Sequence, residues 1–473
     1  MEIFRLSLLE TLDLLRDKKI SPKELLEIYF KRIEEKEKVI DSFLYIDYEG
    51  SLKRAEELEK EGRDLPLYGI IFSIKDNILV KNLPNTCGSK ILENFVAPYD
   101  AFVVEKLKRF GAIIVGKTNM DEFAMGSSTE NSAFKITKNP WDISRVPGGS
   151  SGGSAASIAS DMVISSLGSD TGGSVRQPAS FCGIVGFKPT YGTLSRYGLV
   201  AFASSLDQIG IFGKNVDDTF YVFNLLIGYD PRDSTSLNIN YKKIVPFDGK
   251  IKIGIIKELN NLGIDENILS VFYEVVDIYK KLGYEIKEIS LKNISYSLPV
   301  YYLIAFAEAS SNLARYDGVR YGLRIEEKSL KKLYTETRKK GFGKEVKRRI
   351  LLGTFALSSG YYEQWYLKAS KVRKLITEDF MNAFREVDTI ILPTSPFLPF
   401  KIGERIKDPI QMYISDVMTI PVNLAGIPGI NIPVGIKNNL PIGIQVLSNY
   451  LEESKIYRVS LDLEREINFQ RKL

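Results

Sequence analysis

The fold of this chain is decided by two glycine-rich stretches, RVPGGSSGGSAA at residues 145–156 and GSDTGGS at residues 168–174. Glycine bends the backbone freely because it has no Cβ, so such runs are typical of loops in which the backbone approaches another group closely. Between them, SAASIASDMVISSLGSD (154–170) predicts a helix of small residues followed by a buried strand. We therefore expect each glycine loop to lie at an end of a regular element and to cradle or expose a reactive group.

The composition is that of a folded, water-soluble protein. Apolar residues make up 44% and charged residues 26% of the 473 positions, both ordinary values. Residues 1–19 mix acids with leucines, which predicts an amphipathic helix rather than a secretion signal, and no window of about 18 uncharged apolar residues predicts a membrane span. We expect a cytoplasmic protein without membrane contact, in which Cys87 and Cys182 are reduced core thiols rather than a disulfide pair.

The chain contains no histidine. This removes the commonest general base and the commonest zinc ligand, so nucleophilic chemistry must use another base, and we predict no metal site. The net charge of +5 is too small for this length to indicate nucleic-acid binding by itself. One local exception is RKKGFGKEVKRR at 338–349, which is either a phosphate-binding surface or an ordinary solvated helix face.

The order of the patterns predicts one α/β domain over residues 1–473. Residues 1–60 have helical spacing and predict a helical flank. Residues 67–215 alternate buried strands with helices and contain both glycine loops, as expected of a sheet core. A βαβ excursion follows at 230–300, and a largely helical half at 300–450 ends in a pair of late strands.

The glycine loops admit three chemical interpretations. A Walker-type phosphate loop needs Lys followed by Ser or Thr after the glycines, whereas Ser154 and Ala155 follow Gly153. The sequence GGSSG at 148–152 satisfies the G-x-S-x-G pattern of a nucleophile elbow, but that mechanism needs a histidine, which this chain lacks. The third interpretation is a serine hydrolase whose base is a lysine.

Lys75 suits the third interpretation. It follows the buried apolar run LYGIIFSI at 67–74, where an ammonium group is costly and desolvation lowers a lysine pKa towards neutrality. A lysine paired with its neighbour Asp76 at a strand end is the simpler alternative. Sequence spacing alone does not bring Lys75 near either loop.

A longer pattern resembles the amidase signature family. The stretch GGSSGGSAASIASDMVISSLGSDTGGSVRQPASFCGIVGFKPT at 148–190 has the paired serines, GSDTGGSVR and CGIVGFKPT of that signature, and SIKDN at 73–77 matches its lysine segment. The resemblance implies the amidase signature fold, a large mixed β-sheet flanked by helices on both faces, with 67–215 as its core. It also implies an enzyme that attacks an amide C–N bond through an acyl-enzyme.

The Ser-cisSer-Lys triad of that family carries over to three positions of this chain. Ser174 matches the nucleophile, Ser150 the bridging serine with a cis peptide bond, and Lys75 the base. The backbone N–H groups of the second loop would form the oxyanion hole; they belong to Thr171, Gly172, Gly173 and Ser174. Three neighbours are expected to have structural roles: Ser151, Asp170 and Arg176.

The C-terminal half resembles one branch of the family, the A subunits of glutamyl-tRNA(Gln) and aspartyl-tRNA(Asn) amidotransferases. The resemblance rests on EASSNLARYDGVRYG (308–322), GFGKEVKRRILLGTFALSSGYY (341–362) and YISDVMTIPVNLAGIPGI (413–430). It implies a glutaminase, and glutamine has an α-carboxylate and an α-ammonium that require a fixed cation and a fixed anion.

Three residues match the family's glutamine pocket. Arg349 matches the cation and Asp416 the anion, although the first could simply end the basic helix and the second could cap the next one. Tyr301 matches a hydroxyl partner of the substrate. A shift of one position in the match would select Tyr302 instead.

The same resemblance implies partners. Ammonia from glutamine would pass to the B subunit of the amidotransferase, which uses ATP and Mg²⁺ to activate the misacylated tRNA and so converts Glu-tRNA(Gln) to Gln-tRNA(Gln). A small C subunit would complete a heterotrimer. This chain would itself hold no cofactor, and whether Asp-tRNA(Asn) is also a substrate of the complex stays open.

Two other functions stay open at this point. A stand-alone amidase for simple aryl or aliphatic amides would not need the charged pair Arg349 and Asp416. A non-catalytic scaffold would keep the fold for binding alone, which the intact triad positions disfavour. The S-x-x-K match at 329–332 lies in a charged helix without its companion motifs, and we interpret it as coincidence.

Overall fold

The computed structural model describes residues 3–406 and 408–470. Within these ranges, eleven strands form one mixed sheet. The strands are β1 (Phe43–Ile46), β2 (Ile71–Lys75), β3 (Ile113–Thr118), β4 (Ser165–Asp170), β5 (Val185–Lys188), β6 (Gln208–Gly213), β7 (Lys252–Ile256), β8 (Glu285–Ile289), β9 (Thr389–Pro393), β10 (Gly429–Lys437) and β11 (Leu440–Ser448). Their order across the sheet is β1-β3-β2-β4-β6-β5-β10-β11-β9-β7-β8.

Fifteen α-helices lie in the same described ranges. They are α1 (Leu8–Arg16), α2 (Pro22–Ile40), α3 (Tyr48–Lys60), α4 (Phe102–Arg109), α5 (Gly152–Ala159), α6 (Arg176–Cys182), α7 (Val216–Leu226), α8 (Glu266–Lys281), α9 (Ser297–Asn312), α10 (Leu330–Gly341), α11 (Lys344–Leu357), α12 (Lys368–Ala383), α13 (Pro409–Ile414), α14 (Ile420–Ala425) and α15 (Glu453–Ile467). Over the described residues, none of these helices combines the length and apolarity that crossing a bilayer requires.

Helices cover both faces of the sheet. α5 and α6 pack together on one face, α5 on β2 and β4, and α6 on β5, β10 and β11. On the other face, α15 packs on β10 and β11 and contacts α7 and α8, which cover the neighbouring strands. The α/β class and the large mixed sheet predicted from the sequence are confirmed.

The central strands are buried at every position, including β4, whose sequence SSLGSD is polar. Its hydroxyl groups have partners inside the sheet: Ser166 Oγ lies 2.8 Å from Ser73 Oγ, and Ser165 Oγ donates to the Phe212 carbonyl oxygen at 2.8 Å. A buried polar group is tolerated when it is hydrogen-bonded. Small hydroxyl side chains therefore let the α5 layer approach the sheet closely without an energetic penalty.

The predicted patterns correspond closely to the observed elements, with one correction. β7, α8 and β8 form the expected βαβ unit, with its two strands parallel, and β10 and β11 are the expected late antiparallel pair. The N-terminal flank is not wholly helical, because Phe43–Ile46 forms the edge strand β1, which pairs with β3. Its four residues are too few for the alternation of a strand to stand out between two helices.

Parallel pairing brings Lys75 and the second glycine loop to one edge of the sheet. β2 and β4 are parallel neighbours, with Phe72 opposite Ser165 and Ile74 opposite Leu167. Lys75 ends β2, and Asp170 ends β4. Because parallel strands end at the same edge, the base predicted from the first strand lies beside the loop that follows the second.

The helices α9 and α11 lie very close together, and this close packing requires a glycine in α11. A Cβ at Gly353 in α11 would lie 1.8 Å from the Phe306 carbonyl oxygen and 2.4 Å from its carbonyl carbon. Those atoms are α9 backbone and cannot rotate away. This contact determines how near α11, which carries Arg349, comes to α9.

Replacing Gly353 with Ala should therefore separate the two helices. We expect the G353A variant to lose about 1–3 kcal/mol of unfolding free energy, since an added methyl in a packed core forces backbone shifts. Urea denaturation followed by circular dichroism measures the loss. The control is Gly62→Ala, where no atom lies within 4 Å of the added Cβ; equal stability of the two variants would contradict the packing argument.

Candidate active site

Lys75 is fully buried at the end of β2 and contacts two serines. Its Nζ donates to Ser150 Oγ at 2.7 Å and to Ser169 Oγ at 2.9 Å. Burial lowers the pKa of Lys75 to about 7, although nearby carboxylates, first that of Asp121, act in the opposite direction. An amine with this pKa exchanges a proton readily at neutral pH.

The loop that contains Ser150 leaves no room for a side chain at the preceding residue, Gly149. The Gly149–Ser150 peptide bond is cis, and the Gly149 N–H donates to Gln177 Oε1 at 3.0 Å. A Cβ at Gly149 would lie 2.2 Å from Asp121 Oδ2 and 2.5 Å from the Ser128 nitrogen. Glycine is required here because carboxylate and backbone atoms already occupy the space.

Ser174 lies at the end of the second glycine loop, just before α6. Its carbonyl oxygen accepts the N–H of Ser151 at 3.2 Å, which ties the two glycine loops together. Ser174 is 7% exposed, whereas Ser150 and Lys75 are 0% exposed. Of the three predicted triad residues, Ser174 is thus the one nearest the surface.

A buried ion pair holds the second loop. The guanidinium of Arg176 donates to both carboxylate oxygens of Asp170, each at 3.1 Å, and Asn423 Nδ2 donates to Oδ1 at 2.9 Å. Burial by itself would raise the pKa of Asp170, but the charge and hydrogen bonds of Arg176 outweigh it and lower the pKa to about 2. The predicted structural role of this pair is confirmed by its contacts.

The N–H groups of the second loop do not all point the same way. The Gly173 N–H donates to Asp170 Oδ1 at 2.8 Å, so in the free protein this predicted oxyanion donor already has an acceptor. In the described part of the chain, the N–H groups of Thr171, Gly172 and Ser174 donate to no protein acceptor. The loop therefore offers three unused donors beside the Ser174 hydroxyl.

The side chain of Arg349 projects from α11 and is surrounded by aromatic rings. It is 3% exposed, and its Nε donates to Glu345 Oε1 at 2.8 Å. Burial alone would lower the pKa of Arg349, but Glu345 keeps the pKa above its usual range. Its guanidinium carbon lies 5.4–5.7 Å from four ring centroids, those of Phe202, Tyr302, Phe306 and Tyr413. Among the described residues, no acceptor takes a hydrogen bond from either terminal nitrogen of Arg349.

Asp416 presents an oxygen without a partner. Its Oδ2 accepts the hydroxyl of Ser127, whereas its buried Oδ1 accepts no hydrogen bond from the described residues. Burial raises the pKa of Asp416 to about 8, against the opposing effects of the Ser127 hydrogen bond and of Arg349. With this pKa the Asp416 carboxyl is mostly protonated at pH 7 in the free protein, and a cationic group bound at Oδ1 would favour its ionised form.

The two candidate tyrosines have different surroundings. A Cβ at Gly172 would lie 2.7 Å from the hydroxyl oxygen of Tyr301, so this hydroxyl lies directly against the second glycine loop. The ring of Tyr302 instead stacks on Tyr413, with centroids 4.1 Å apart. Burial raises the pKa of Tyr301 well above its usual range, so its hydroxyl keeps its proton.

Several contacting residues were not predicted from the sequence. Ser169 holds the Lys75 amine and also accepts Asn77 Nδ2 at 2.9 Å. Thr419 Oγ1 donates to the Gly172 carbonyl oxygen at 2.7 Å. All three residues lie within quoted stretches, but only Ser169 and Asn77 stand close in sequence to triad positions, and nothing in the sequence predicts that Thr419 contacts the second glycine loop.

The basic run 338–349 divides between structure and surface. Arg338 donates to the carbonyl oxygens of Leu313 and Tyr316, at 2.8 and 3.1 Å, and Arg349 is buried as described. Lys339 and Lys340 are exposed at the end of α10. The S-x-x-K match is a helix start, since Ser329 Oγ accepts the Lys332 N–H at 3.3 Å.

Together these groups can bind and attack an amide. They comprise hydroxyls beside a lysine whose pKa is about 7, N–H donors for a developing oxyanion, and a buried guanidinium and a buried carboxyl for substrate charges. No cluster of three or more Cys, Asp or Glu suited to a metal ion occurs in the described ranges.

Comparison with known proteins identifies the class. A family model described as Amidase matches residues 24–457. The chain belongs to the amidase family and is an enzyme of that family.

Relatives that are 50–54% identical to the chain share one name within the family. The chain is 54% identical to the A subunit of the glutamyl-tRNA(Gln) amidotransferase of Thermoanaerobacter pseudethanolicus, over 100% of this chain and 98% of that protein. It is 53% identical to the same subunit of Sulfurihydrogenibium sp., over 97% of each chain. The crystal structure of that subunit from Thermotoga maritima matches with a TM-score of 0.82 and 42% identity, covering 98% of this chain and 95% of the other.

Removing the Asp170 charge should destabilise the whole loop. Asp170→Asn leaves Arg176 buried without its anion, and breaking a buried pair costs about 3–5 kcal/mol of unfolding free energy. Because the pKa of Asp170 is lowered, its stabilising effect is present above about pH 4 and is lost as the pH falls towards about 2.

Urea midpoints between pH 3 and 7 measure this prediction. The control is Glu61→Gln, which removes a surface partner of Arg54 at 2.8 Å and should cost less than about 1 kcal/mol. Equal effects of the two substitutions would contradict the assigned role of Asp170.

Proposed function

We propose that this chain is the glutaminase subunit of a tRNA-dependent amidotransferase, and that Lys75, Ser150 and Ser174 are its catalytic triad. One observation carries the substrate assignment: Arg349 has unused terminal nitrogens, and Asp416 has an unpartnered Oδ1. A cation and a carboxyl group held open in one buried site suit a zwitterionic amino acid, whose ammonium group would stabilise the ionised carboxylate.

Glutamine would be held at its α-carbon end. The Arg349 guanidinium would bind the α-carboxylate through its two terminal nitrogens, and Asp416 Oδ1 would accept the α-ammonium. The Tyr301 hydroxyl lies against Gly172 of the second glycine loop. It would therefore contact glutamine between the α-carbon end and the side-chain amide. The amide at the end of the side chain would then reach Ser174.

The reaction would proceed through an acyl-enzyme. Ser174 Oγ attacks the amide carbon as its proton passes to Ser150, which gives its own proton to neutral Lys75. The oxyanion accepts the free N–H groups of Thr171, Gly172 and Ser174. The Lys75 ammonium returns a proton through Ser150 to the leaving nitrogen, ammonia departs, and water hydrolyses the glutamyl ester along the same proton path.

The released ammonia would serve a second reaction in a complex. The relatives are named for glutamyl-tRNA(Gln), and we extend that substrate to this protein, with Asp-tRNA(Asn) as a second candidate. The B and C subunits would complete a cytoplasmic heterotrimer in which ATP and Mg²⁺ are used outside this chain.

Loss of Arg349 should weaken glutamine binding but not the triad. We expect Arg349→Met to raise the KM for glutamine about 10- to 100-fold, since hydrogen bonds to charged groups contribute about 1.5–3 kcal/mol. Ammonia release, measured with and without the co-expressed B and C subunits, reports the effect. Ser174→Ala should abolish release altogether.

The matched control is Arg348→Met, which removes the neighbouring arginine that pairs with the same Glu345 but lies outside the pocket. An unchanged KM in the Arg349 variant would contradict the pocket assignment. Efficient hydrolysis of simple aryl or aliphatic amides by the isolated chain, with no activity on glutamine, would instead favour a stand-alone amidase.

The triad predicts a pH dependence. The reactive form of Lys75 is neutral, so with a pKa of about 7 acylation of Ser174 should fall about tenfold for each pH unit below 7 and level off above it. An uncharged phosphonate measures this rate without involving Arg349 or Asp416.

Lys188 provides the control for this experiment, because burial also lowers its pKa to about 7 although it lies outside the triad. Lys188→Met should keep the pH step, and Lys75→Met should abolish acylation. If the pH step disappeared in Lys188→Met, the titrating group would be Lys188, and the assignment of the step to Lys75 would be contradicted.

A further inference from the structure

A cluster of large apolar side chains is exposed on the outside of α11 and on the segment that follows it. We call it the α11 outer surface. Its members and exposed fractions are Leu351 (70%), Leu352 (45%), Phe355 (49%), Tyr361 (42%), Tyr362 (40%) and Trp365 (40%). Isolated exposed apolar residues are ordinary, but contiguous large patches mark interaction sites.

The cluster is contiguous. Leu351 and Phe355 lie one turn apart on α11 and therefore on one helix face. The Phe355 ring packs on the Tyr361 ring, with centroids 4.5 Å apart. The backbone N–H of Trp365 donates to the Tyr361 carbonyl oxygen at 2.9 Å. Tyr362 continues the surface by stacking on Tyr366 at 5.5 Å. Tyrosine, tryptophan and phenylalanine are the residues enriched at protein interfaces.

The charges around this surface are mainly positive. Lys344 and Lys347 lie at the start of α11, and Lys368 and Lys371 at the start of α12. Glu363 is the one acidic residue between the two helices. A complementary partner would thus carry acidic groups around an apolar centre.

We propose that the α11 outer surface docks a second, different polypeptide with an apolar centre and an acidic rim. A second copy of this chain fits poorly, because a two-fold contact would set the same lysines against each other. Nucleic acid fits poorly as well, because sites for it are polar and strongly cationic at their centre. The inference rests on the proposed function, which makes the partner another subunit of the amidotransferase.

This docking surface lies back to back with the substrate pocket. Arg349 projects from the inner side of α11, while Leu351, Leu352 and Phe355 lie on its outer side. The intervening Gly353 holds the helix against α9. A partner bound outside would therefore contact the same rigid helix that positions the glutamine-binding cation.

The test uses the chain co-expressed with the B and C subunits, with the affinity tag on the B subunit. The variant Leu351→Glu/Phe355→Glu adds two negative charges to the centre of the surface. The control is Tyr273→Glu/Leu282→Glu, which adds the same two charges at exposed apolar positions, 45% and 40% exposed, on or beside α8. Acylation of Ser174 by the uncharged phosphonate shows that each variant is folded.

We expect at least tenfold less of the surface variant than of the wild type to co-purify with the tagged B subunit, although its acylation is normal. The control variant should co-purify at the wild-type level. Assembly of the surface variant at the wild-type level overturns the docking surface and leaves the proposed function intact. A wild type that binds neither of the two other subunits overturns both.

Two further outcomes would assign the surface to another occupant and also overturn the proposal. One is a dimer of the isolated wild type, seen by light scattering, that the surface variant abolishes. The other is co-sedimentation of the wild type with anionic phospholipid vesicles, lost in the same variant.

Discussion

The structure depends on keeping one amine, that of Lys75, out of water. The helix α5, the loop that carries Ser150 and the strand β4 that carries Ser169 bury the end of β2, and this burial moves the lysine pKa to about 7. The cost of burial is limited because Ser150 and Ser169 accept hydrogen bonds from the amine. In a chain without histidine, such burial supplies a base at neutral pH. The small residues of β4 and α5 follow from the same requirement, since they allow the two layers to close over the amine.

Two kinds of buried charged group lie near the glycine loops. Asp170 and Arg176 satisfy one another with several hydrogen bonds and so act as a rigid anchor for the second glycine loop. Arg349 and Asp416 each retain unused hydrogen-bonding capacity, which stabilises nothing in the free protein and suits a ligand. The contrast separates the groups that hold the loop from those proposed to hold glutamine. The same anchor also accepts a hydrogen bond from the Gly173 N–H, through Asp170 Oδ1.

The helix α11 connects these parts to the outside. Its inner side carries Arg349, its middle is pressed against α9 at Gly353, and its outer side presents exposed leucine and phenylalanine. A helix with polar function on one side and apolar exposure on the other is unusual for a surface helix, which normally turns its apolar side inward. This arrangement is expected if both sides of α11 have binding partners, a small zwitterion on the inner side and a protein on the outer side.

Much about this protein was determined by its sequence alone. The glycine loops, the missing histidine and a lysine at the end of an apolar strand left a lysine-based serine hydrolase as one interpretation, and the resemblance to the amidase signature selected it and implied the large mixed sheet. These signals are local, because they depend on backbone freedom and on periodicity within one element. The four-residue strand β1 escaped them because it is too short to show a period.

Only the tertiary structure decided which distant groups meet. Parallel pairing of β2 with β4 brings Lys75 to the second loop, the Gly172 contact distinguishes Tyr301 from Tyr302, and Thr419 reaches the loop from far along the chain. The direction of each loop N–H was likewise invisible in the sequence. Such facts follow from how elements pack across long sequence separations, and no local pattern encodes a distance between residues that meet only in the folded chain.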